Sequence, residues 1–514
     1  MNSAKQEKQQ SRPDYGIILI PLVVIGLISA TFFIWPEAAT NTLYAIRAFI
    51  NTWFSSWIGL FGIASLVVSI YFAASPLGKI RLGSKKPLSR FHWGAIVFTT
   101  TISADVLFYG ICEWTFYIDD PYVASLPGAI QDWVPTMSLF HWGPTVWSFL
   151  LVLSAPYAYM MHIRHTESRK LSEACRSIIG RHADGLWGRL IDLVAVFAIY
   201  GGIATGIALS APVIGDALGS VFGFTSGTGV YIALILIICL VYTVSAWIGM
   251  KSVSWFSTLC IGLFAVLLAY VFLFSGRSVF LLETAVTSVG VLLNNFIQLS
   301  TQMDPLRTTS FPQNWTLFYW TYWIVWGVGA PFFIAQISGG RSIRQVILEG
   351  YAWGLAGTWI SFFVLGNYGM SLQLIDGMPL STEILSGVPF SAVAVEILGT
   401  LPMGKIVILL AAVVMTLLIT TCLDSTVLII GAFSEPRLKT TDELPDRKIR
   451  LFCSILLIVL PIALLFSQSS IENIQSVTII CALPLSVILI IPVVGFIKEG
   501  WAYIKNSGTE PHES

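Results

Sequence analysis

The sequence has too few charged residues for a soluble protein of its length. Only 11% of its 514 residues are Asp, Glu, Lys or Arg, whereas 55% are hydrophobic. A globule of this composition would lack the polar surface that must face water, which excludes a soluble protein. The 28 basic residues are balanced by 28 acidic ones, and a neutral chain has no net attraction to a polyanion. We therefore expect a polytopic membrane protein that binds no nucleic acid.

Patterns that would indicate a metal site, a disulfide framework or an enzyme are also missing. The seven cysteines lie mostly inside apolar segments and show no paired spacing of metal ligands. The six histidines do not cluster with carboxylates, as a membrane-embedded hydrolase or metal site would require. A channel would need a continuous polar lining on several spans, and these spans are too apolar. We expect no cofactor and no enzymatic activity.

Twelve hydrophobic segments are each long enough to cross a bilayer, whose hydrocarbon core is about 30 Å thick. They lie at about 16–35, 53–75, 93–118, 137–163, 187–214, 229–249, 252–275, 315–338, 344–366, 403–432, 449–468 and 473–497. Lys and Arg concentrate in every second loop, and short cytoplasmic loops retain these residues. The pattern therefore predicts that both termini are cytoplasmic.

These segments define one transmembrane domain between two short tails. We predict a cytoplasmic tail at 1–15, the membrane domain at 16–498 and a second cytoplasmic tail at 499–514. The apolar stretch 278–300 lies between two spans that must both reach the outer face. We predict that it forms an external helix on the membrane surface.

The segment 311–344 has an unusual density of aromatic residues. On a helix, five of these rings share one side, because their spacings close whole turns; they are Trp315, Tyr319, Tyr322, Trp323 and Trp326. Such rings can pack a core or form a belt at the membrane interface. They can also form a cage that binds a quaternary ammonium group through cation–π contacts. The stripe extends over about 16 Å, deeper than a belt at a helix end, which favours the cage.

A second aromatic pair flanks a predicted bend in the fourth span. In the motif FHWGPTVW, Gly143 and Pro144 should interrupt the helix and free backbone polar groups. Free backbone groups at membrane depth are tolerated where they line a cavity. Trp142 and Trp147 are therefore candidate walls of the same pocket, and we interpret His141 as structural.

Asp105 lies near the middle of the third span. An ionisable side chain at that depth costs at least a few kcal/mol and is a functional candidate. If the span is helical throughout, Asp105 shares a face with Tyr109, Cys112 and Phe116, and Glu113 lies off its edge. The alternative is that neighbouring Thr and Ser hydroxyls hold Asp105 in a structural network.

Asp424 is a second carboxylate at membrane depth, in the tenth span. Hydroxyl side chains surround it, including those of Thr421 and Ser425. Oxygen-rich surroundings of this kind suit a sodium ion, and they equally suit a capped helix break without an ion. Arg341 and Arg344 follow the eighth span; they are either cytoplasmic anchors or part of an inner gate.

Together these motifs resemble the betaine/carnitine/choline transporter family. The resemblance covers about 15–500 and rests on FHWGP, on NWTLFYWTYWIVW and on ISGGRSIRQ, which closes the eighth span. It implies an all-α membrane protein with a LeuT-type fold, in which spans 3–7 (about 93–275) and spans 8–12 (about 315–497) form two inverted five-helix repeats. It also implies a homotrimer in the bacterial inner membrane that carries trimethylammonium compounds by alternating access.

The resemblance also assigns substrate-binding residues. Trp323 and Trp326 match the family's box tryptophans of the eighth span, and Trp142 and Trp147 match those of the fourth. Other positions depart from the family pattern. Tyr322 stands where members usually have tryptophan, and in carnitine antiporters the position of Phe116 is a substrate-site tyrosine.

Other departures concern the coupling ion. Ala330 and Cys260 stand where carnitine antiporters have the methionine and arginine that substitute for two sodium ions. Thr421 and Asp424 resemble the sodium-site threonine and the neighbouring aspartate of sodium-coupled members. Cys422, however, replaces a serine hydroxyl ligand of that site.

Asp105 replaces the last glycine of a glycine-rich stretch found in sodium-coupled betaine members, and choline-type members also carry aspartate there. We therefore expect a secondary transporter of choline or a close analogue, with a proton as the coupling ion. The alternative is a sodium-coupled or exchange transporter of zwitterions such as glycine betaine or carnitine.

Overall fold

The computed structural model of the chain describes residues 13–248, 250–435, 437–438, 443–466 and 471–507. Within these ranges the structure contains helices and no β-strand; the only bridge of β type joins Arg81 and Ser342. The predicted all-α fold is confirmed.

The longer helices are numbered here in chain order. The first half of the chain contains α1 Tyr15–Ile34, α2 Pro36–Trp53, α3 Ser55–Ala74, α4 Arg90–Thr101, α5 Asp105–Cys112, α6 Ile130–His141, α7 Pro144–His162, α8 Leu186–Phe222, α9 Thr228–Ile248 and α10 Met250–Phe274. The second half contains α11 Ser278–Thr301, α12 Leu317–Val325, α13 Gly329–Ile337, α14 Ile343–Ser361, α15 Asn367–Leu374, α16 Phe390–Gly399, α17 Gly404–Ser434, α18 Arg447–Leu456, α19 Val459–Phe466 and α20 Ile471–Ser507.

Within the described ranges, nine helices are long and apolar enough to cross a membrane, and eleven spans result if each of two bent helix pairs counts as one. These cover ten of the twelve predicted segments, so the chain is a multi-pass membrane protein. The predicted fourth and ninth spans are divided: α7 follows α6 after a break, and a π-helical turn at Phe362–Gly366 separates α14 from α15. The count of twelve stays a prediction.

The helix α11 also has the length and composition of a span. It corresponds to the segment 278–300, and it packs along α6 and beside α15. Its location on the external membrane surface stays a prediction, as do the limits of the two tails.

Two broken helices occupy corresponding positions in the two predicted repeats. α4 and the segment that begins with α5 meet at 75°, and the segment Pro312–Val325 meets α13 at 51°. The third span is therefore not one continuous helix, so the condition under which Asp105 would share a helix face with Tyr109, Cys112 and Phe116 is not met. The chain leaves the helix at 102–104, so that Asp105 becomes the first residue of α5. A carboxylate is favoured there, because the free N–H groups of a helix N-terminus carry positive partial charge.

The helices around these breaks bring the predicted site residues together. α12 packs against α7 and α20, while α13 packs against α7 and α17. α8 crosses the interior beside α17 and α20, and it also contacts α5 and α12. The candidate site lies where α5, the α6–α7 break and α12 meet.

Candidate functional site

The aromatic cage consists of rings from three separate elements. The ring of Trp323 in α12 meets the ring of Trp142 with 5.5 Å between centroids, and that of Trp147 in α7 with 5.3 Å. Tyr109 in α5 adds contacts of 5.4 Å to Trp142 and 6.3 Å to Tyr322. All five side chains are buried. We call this group the inner cage.

The break in the fourth span positions two of these rings. α6 ends at His141, and α7 begins with Pro144, a favoured first helical residue because it has no N–H to leave unpaired. Gly143 joins the helices in an extended conformation, and a Cβ added there would lie 2.5 Å from the carbonyl oxygen of Leu139. Such close approach requires glycine. The break therefore turns Trp142 and Trp147 toward α12.

Asp105 lies at the edge of the inner cage. Its carboxylate is buried, and Oδ2 accepts a hydrogen bond from the hydroxyl of Tyr322. Oδ1 has no hydrogen-bond partner in the described part of the chain. Gly206 of α8 faces this carboxylate, and a Cβ added there would lie 2.9 Å from Oδ1. The structure thus places the carboxylate of Asp105 beside the aromatic rings.

Among the other predicted aromatic residues, Tyr319 also contacts the inner cage, with its ring centroid 5.4 Å from that of Tyr109 and 6.1 Å from that of Trp142. Phe116 lies at the edge of the cage, 6.5 Å from Tyr109. Phe116 stacks on Trp315 with centroids 4.7 Å apart and also meets Phe390 at 5.0 Å. Trp326 lies in the turn after α12, next to Gly202 of α8, where an added Cβ would be 3.3 Å from the indole. The aromatic stripe expected on one helix face is therefore divided among different neighbours.

The three predicted ion-binding residues do not face one site. The hydroxyl of Ser425 donates to the carbonyl of Cys422 in its own helix at 2.7 Å. Across the helix interface, the hydroxyl of Thr421 lies 3.0 Å from the carbonyl of Thr99, and that of Ser425 lies 3.4 Å from the carbonyl of Thr100. Both contacts lie at the end of α4, beside the break in the third span.

Asp424 projects toward another side of α17. Its Oδ2 accepts a hydrogen bond from Ser245 of α9, and the guanidinium of Arg450 in α18 lies near enough to act on its charge. One oxygen of the carboxylate, Oδ1, has no hydrogen-bond partner among the described residues. α17 directs Asp424 toward other helices than Thr421 and Ser425, so the structure does not bring these three residues together. An ion-binding role for any of them stays a prediction.

Arg341, in the turn between α13 and α14, and Arg344, in the first turn of α14, make different contacts. Arg341 is buried, pairs with Glu349, donates to the carbonyl of Leu88 at 2.8 Å, and lies 4.7 Å from the ring centroid of Trp93. Burial lowers the pKa of Arg341 from its usual value, and the charge of Glu349 opposes this shift. Arg341 therefore joins the start of α14 to the start of α4.

Arg344 stabilises the end of α3. Its guanidinium donates to the carbonyls of Ala73 at 2.5 Å, Ala74 at 3.2 Å and Ser75 at 3.3 Å. A cation at a helix C-terminus pairs with unsatisfied carbonyl groups and with the helix dipole. Arg344 therefore caps the C-terminus of α3.

Sequence reasoning missed Glu113 as a site residue. Its side chain is fully buried at the end of α5, where it accepts hydrogen bonds from Tyr117 at 2.6 Å and from the indole N–H of Trp142 at 2.7 Å. Glu113 thus contacts the inner cage directly. The rule that marked Asp105, an ionisable residue at membrane depth, would also have identified it.

Known proteins are similar to this chain over most of its length. The family described as "BCCT, betaine/carnitine/choline family transporter" matches residues 16–503. The chain is 30% identical to "Uncharacterized transporter YeaV" of Escherichia coli over 437 residues, 84% of this chain and 89% of the relative. It is 27% identical over 450 residues to "Carnitine transporter" of Acinetobacter baumannii, covering 87% of this chain and 81% of the relative.

A solved structure is also similar to this chain. It is the substrate-bound, outward-open state of a sodium-coupled sialic acid symporter. The TM-score is 0.46 at 15% sequence identity, with 85% of this chain and 86% of the other covered.

Proposed function

This chain belongs to the betaine/carnitine/choline family of transporters, and on that premise we propose that it carries choline or a close quaternary ammonium analogue. Members of the family are transporters and not enzymes. The proposed transport is secondary active, by alternating access across the bacterial inner membrane, with both termini in the cytoplasm and a homotrimer as the assembly.

The observation that carries this proposal is the position of Asp105 beside the inner cage. Ring faces attract a cation, and a desolvated cation–π contact contributes about 2 kcal/mol or more. A cation taken out of water also needs a compensating charge, because an unpaired ion in a low-dielectric site costs several kcal/mol. The carboxylate of Asp105 can supply that negative charge, whereas choline has no carboxylate to compensate its own ammonium group.

The same carboxylate disfavours zwitterions. Betaine and carnitine carry a carboxylate, and an ionised Asp105 would repel it. Repulsion of the wrong ligand is an effective source of specificity. An aspartate that is neutral in the empty cage and ionised beside bound choline would exchange a proton in each cycle, which makes a proton our proposed coupling ion.

The two broken helices suit alternating access. Both contribute to the site, α5 through Asp105 and Tyr109 and α12 through Tyr322 and Trp323. Movement of one broken helix relative to the other would therefore change the site and its access together. On the cytoplasmic side, we propose that the contacts of Arg341 to Glu349 and Leu88 close the inner gate.

A second candidate function is sodium-coupled or exchange transport of a zwitterion. Thr421 and Ser425 support it, because their hydroxyls face carbonyl oxygens beside the break in the third span. Hydroxyl and carbonyl oxygens are ligands that hard cations prefer. The relative named "Carnitine transporter" also supports this candidate.

Uptake into proteoliposomes distinguishes the two functions. We expect radiolabelled choline to accumulate, with a response to a proton gradient and none to a sodium gradient. Uptake of betaine or carnitine in preference to choline, dependent on sodium, would support the second candidate and reject the first.

A further inference from the structure

Glu113 is the centre of a buried polar cluster that the proposed function does not use. The hydroxyl of Tyr117 lies 2.6 Å from Oε1 of Glu113 and 2.7 Å from Nδ1 of His141. On the other side of the imidazole, Nε2 lies 3.0 Å from Oγ1 of Thr316. Glu113, Tyr117 and His141 are fully buried. We call Glu113, Tyr117, His141 and Thr316 the relay.

The hydrogen bonds of the relay can be oriented in two ways, and the two arrangements differ by one bound proton. With Glu113 ionised, Tyr117 donates to Glu113, Nδ1–H of His141 donates to Tyr117, and Thr316 donates to Nε2. With Glu113 protonated, Glu113 donates to Tyr117, Tyr117 donates to Nδ1, and Nε2–H donates to Thr316. A proton that enters at Nε2 of His141 therefore displaces the Nδ1 proton to Tyr117 and the Tyr117 proton to Glu113. The imidazole is neutral before and after this transfer.

Glu113 has no strong cationic partner in the described part of the chain. Its ion-pair contact there is to His141, with 3.8 Å between Nδ1 and Oε1. Tyr319 and Tyr109 are the other titratable groups close to the Glu113–Tyr117 pair. The helix α15 and the short helix Leu380–Leu385 also pack against the turn at 113–116. Their titratable groups face elsewhere, since Tyr368 bonds Thr400 and Glu383 lies beside Glu396.

The balance of charges in the site makes cation binding depend on the protonation state of Glu113. Asp105 and Glu113 lie along the same helical segment, and a bound quaternary ammonium group neutralises only one carboxylate. If the cation pairs with Asp105, an ionised Glu113 leaves one uncompensated charge in the membrane interior, which costs several kcal/mol. Protonation of Glu113 removes that cost and keeps Trp142 bonded, because the neutral acid still has an acceptor oxygen.

We propose that Glu113 is a proton-binding site, filled through Tyr117 and His141, whose protonated form is required when the inner cage holds a cation. This inference rests on the proposed function for the cation and for its pairing with Asp105. If this proton is required, the contribution of Glu113 to cation affinity has a fixed pH dependence. The affinity is retained at pH values where Glu113 is protonated and is lost as pH rises through its titration.

The test is the affinity of the purified protein for radiolabelled choline between about pH 5 and pH 9.5. Above the titration of Glu113, the Kd of the unmodified protein should rise about tenfold per pH unit. Glu113→Gln, which mimics the protonated form, should remove this alkaline loss and retain the acidic loss expected from protonation of Asp105. An alkaline loss in Glu113→Gln equal to that of the unmodified protein would overturn the proposal, as would the absence of any alkaline loss in the unmodified protein up to about pH 9.5.

A second variant keeps the proposal testable if Glu113→Gln does not fold. Tyr117→Phe removes a donor to the ionised carboxylate, so the alkaline loss should move up by about one pH unit. Tyr157→Phe is its matched control, because Tyr157 is also buried and its hydroxyl has no hydrogen-bond partner among the described residues. An unshifted alkaline loss in Tyr117→Phe would overturn the relay.

Different results would reject choline as the substrate and the proposed role of Glu113. Binding of carnitine instead of choline by the unmodified protein would reject choline as the substrate. The same pH series with carnitine would then still test Glu113, since the carboxylate of carnitine does not titrate in the alkaline range.

Discussion

The hydroxyl of Tyr322 donates a hydrogen bond to Oδ2 of Asp105. This bond joins α12 to α5, which belong to the two broken helices. Tyr322 belongs to the inner cage through its contact with Tyr109, and Asp105 lies at the edge of the cage. The charge proposed for substrate binding is therefore held by one broken helix and oriented by the other.

Trp323 provides the first test of the inner cage. If its ring holds an ammonium group, Trp323→Leu removes a contact worth about 2 kcal/mol, which corresponds to roughly 30-fold weaker binding. Trp323→Phe retains a ring face and should have a smaller effect. Binding of choline, betaine and carnitine to the purified variants measures this. Unchanged affinity of Trp323→Leu for every ligand would show that the ring only packs.

Trp320 supplies a control on the same helix. Its ring faces Phe140 with 6.2 Å between centroids, and it fills the space beside Gly62 of α3. Trp320→Leu should lower thermal stability, because it leaves a cavity in a packed interior. Affinity in the folded fraction should not change.

Tyr322→Phe tests the bond between the two broken helices. Loss of a hydrogen bond to a charged group costs about 1.5–3 kcal/mol, so we expect at least tenfold weaker choline binding. The effect should be absent when Asp105 has already been changed to Asn. A double-mutant cycle measures the coupling between the two residues, and additive effects would exclude a direct role of the bond.

Sodium should not stimulate choline binding. The hydroxyl of Thr421 donates to the carbonyl of Thr99 in α4, the hydroxyl of Ser425 donates to the carbonyl of Cys422, and Cys422 provides no hydroxyl oxygen. We expect equal affinity in sodium and potassium media. If sodium strengthens binding, and Thr421→Ala abolishes that increase, these residues form a sodium site.

Arg341 and Arg344 should behave differently when replaced by Ala. Arg341→Ala breaks the contacts to Glu349 and Leu88, so we expect reduced transport with normal membrane insertion and substrate binding. Glu349→Ala should reproduce that effect. Arg344→Ala removes a helix cap and should cost about 1 kcal/mol of stability without changing the transport of the folded protein. Loss of insertion in Arg341→Ala would support a simple anchor instead.

The sequence predicted the fold class and several of the residues that meet in the inner cage. Apolar segments and basic loops are local signals, and the Gly143–Pro144 pair marks its own break. Trp326 was misplaced because the prediction continued one helix through 326–328, whereas α12 ends at Val325 and the chain turns there.

Long-range packing could not be read from the sequence. Glu113 lies off the edge of a continuous helix, but the break at 102–104 and the 3₁₀ turn at Glu113–Phe116 change which side chains share a face. Asp424 is close to Thr421 in sequence, yet its direction depends on where α9 and α18 pack against α17. Such relationships depend on tertiary contacts between distant segments.

Asp105 gives the most direct test of the proposed substrate. Choline has no carboxylate, so the site must supply one, and Asp105 lies beside the rings with one oxygen free of hydrogen bonds within the described ranges. Asp105→Asn keeps the size of the side chain and removes the charge, so choline uptake and any proton coupling through this residue should be lost. Asp105→Gly removes both the charge and the side chain, so preference should shift from choline toward betaine. Competition of the two ligands for binding to each variant measures this. Choline uptake by Asp105→Asn at the unmodified rate, or tighter binding of betaine than of choline by the unmodified protein, would return Asp105 to a structural role.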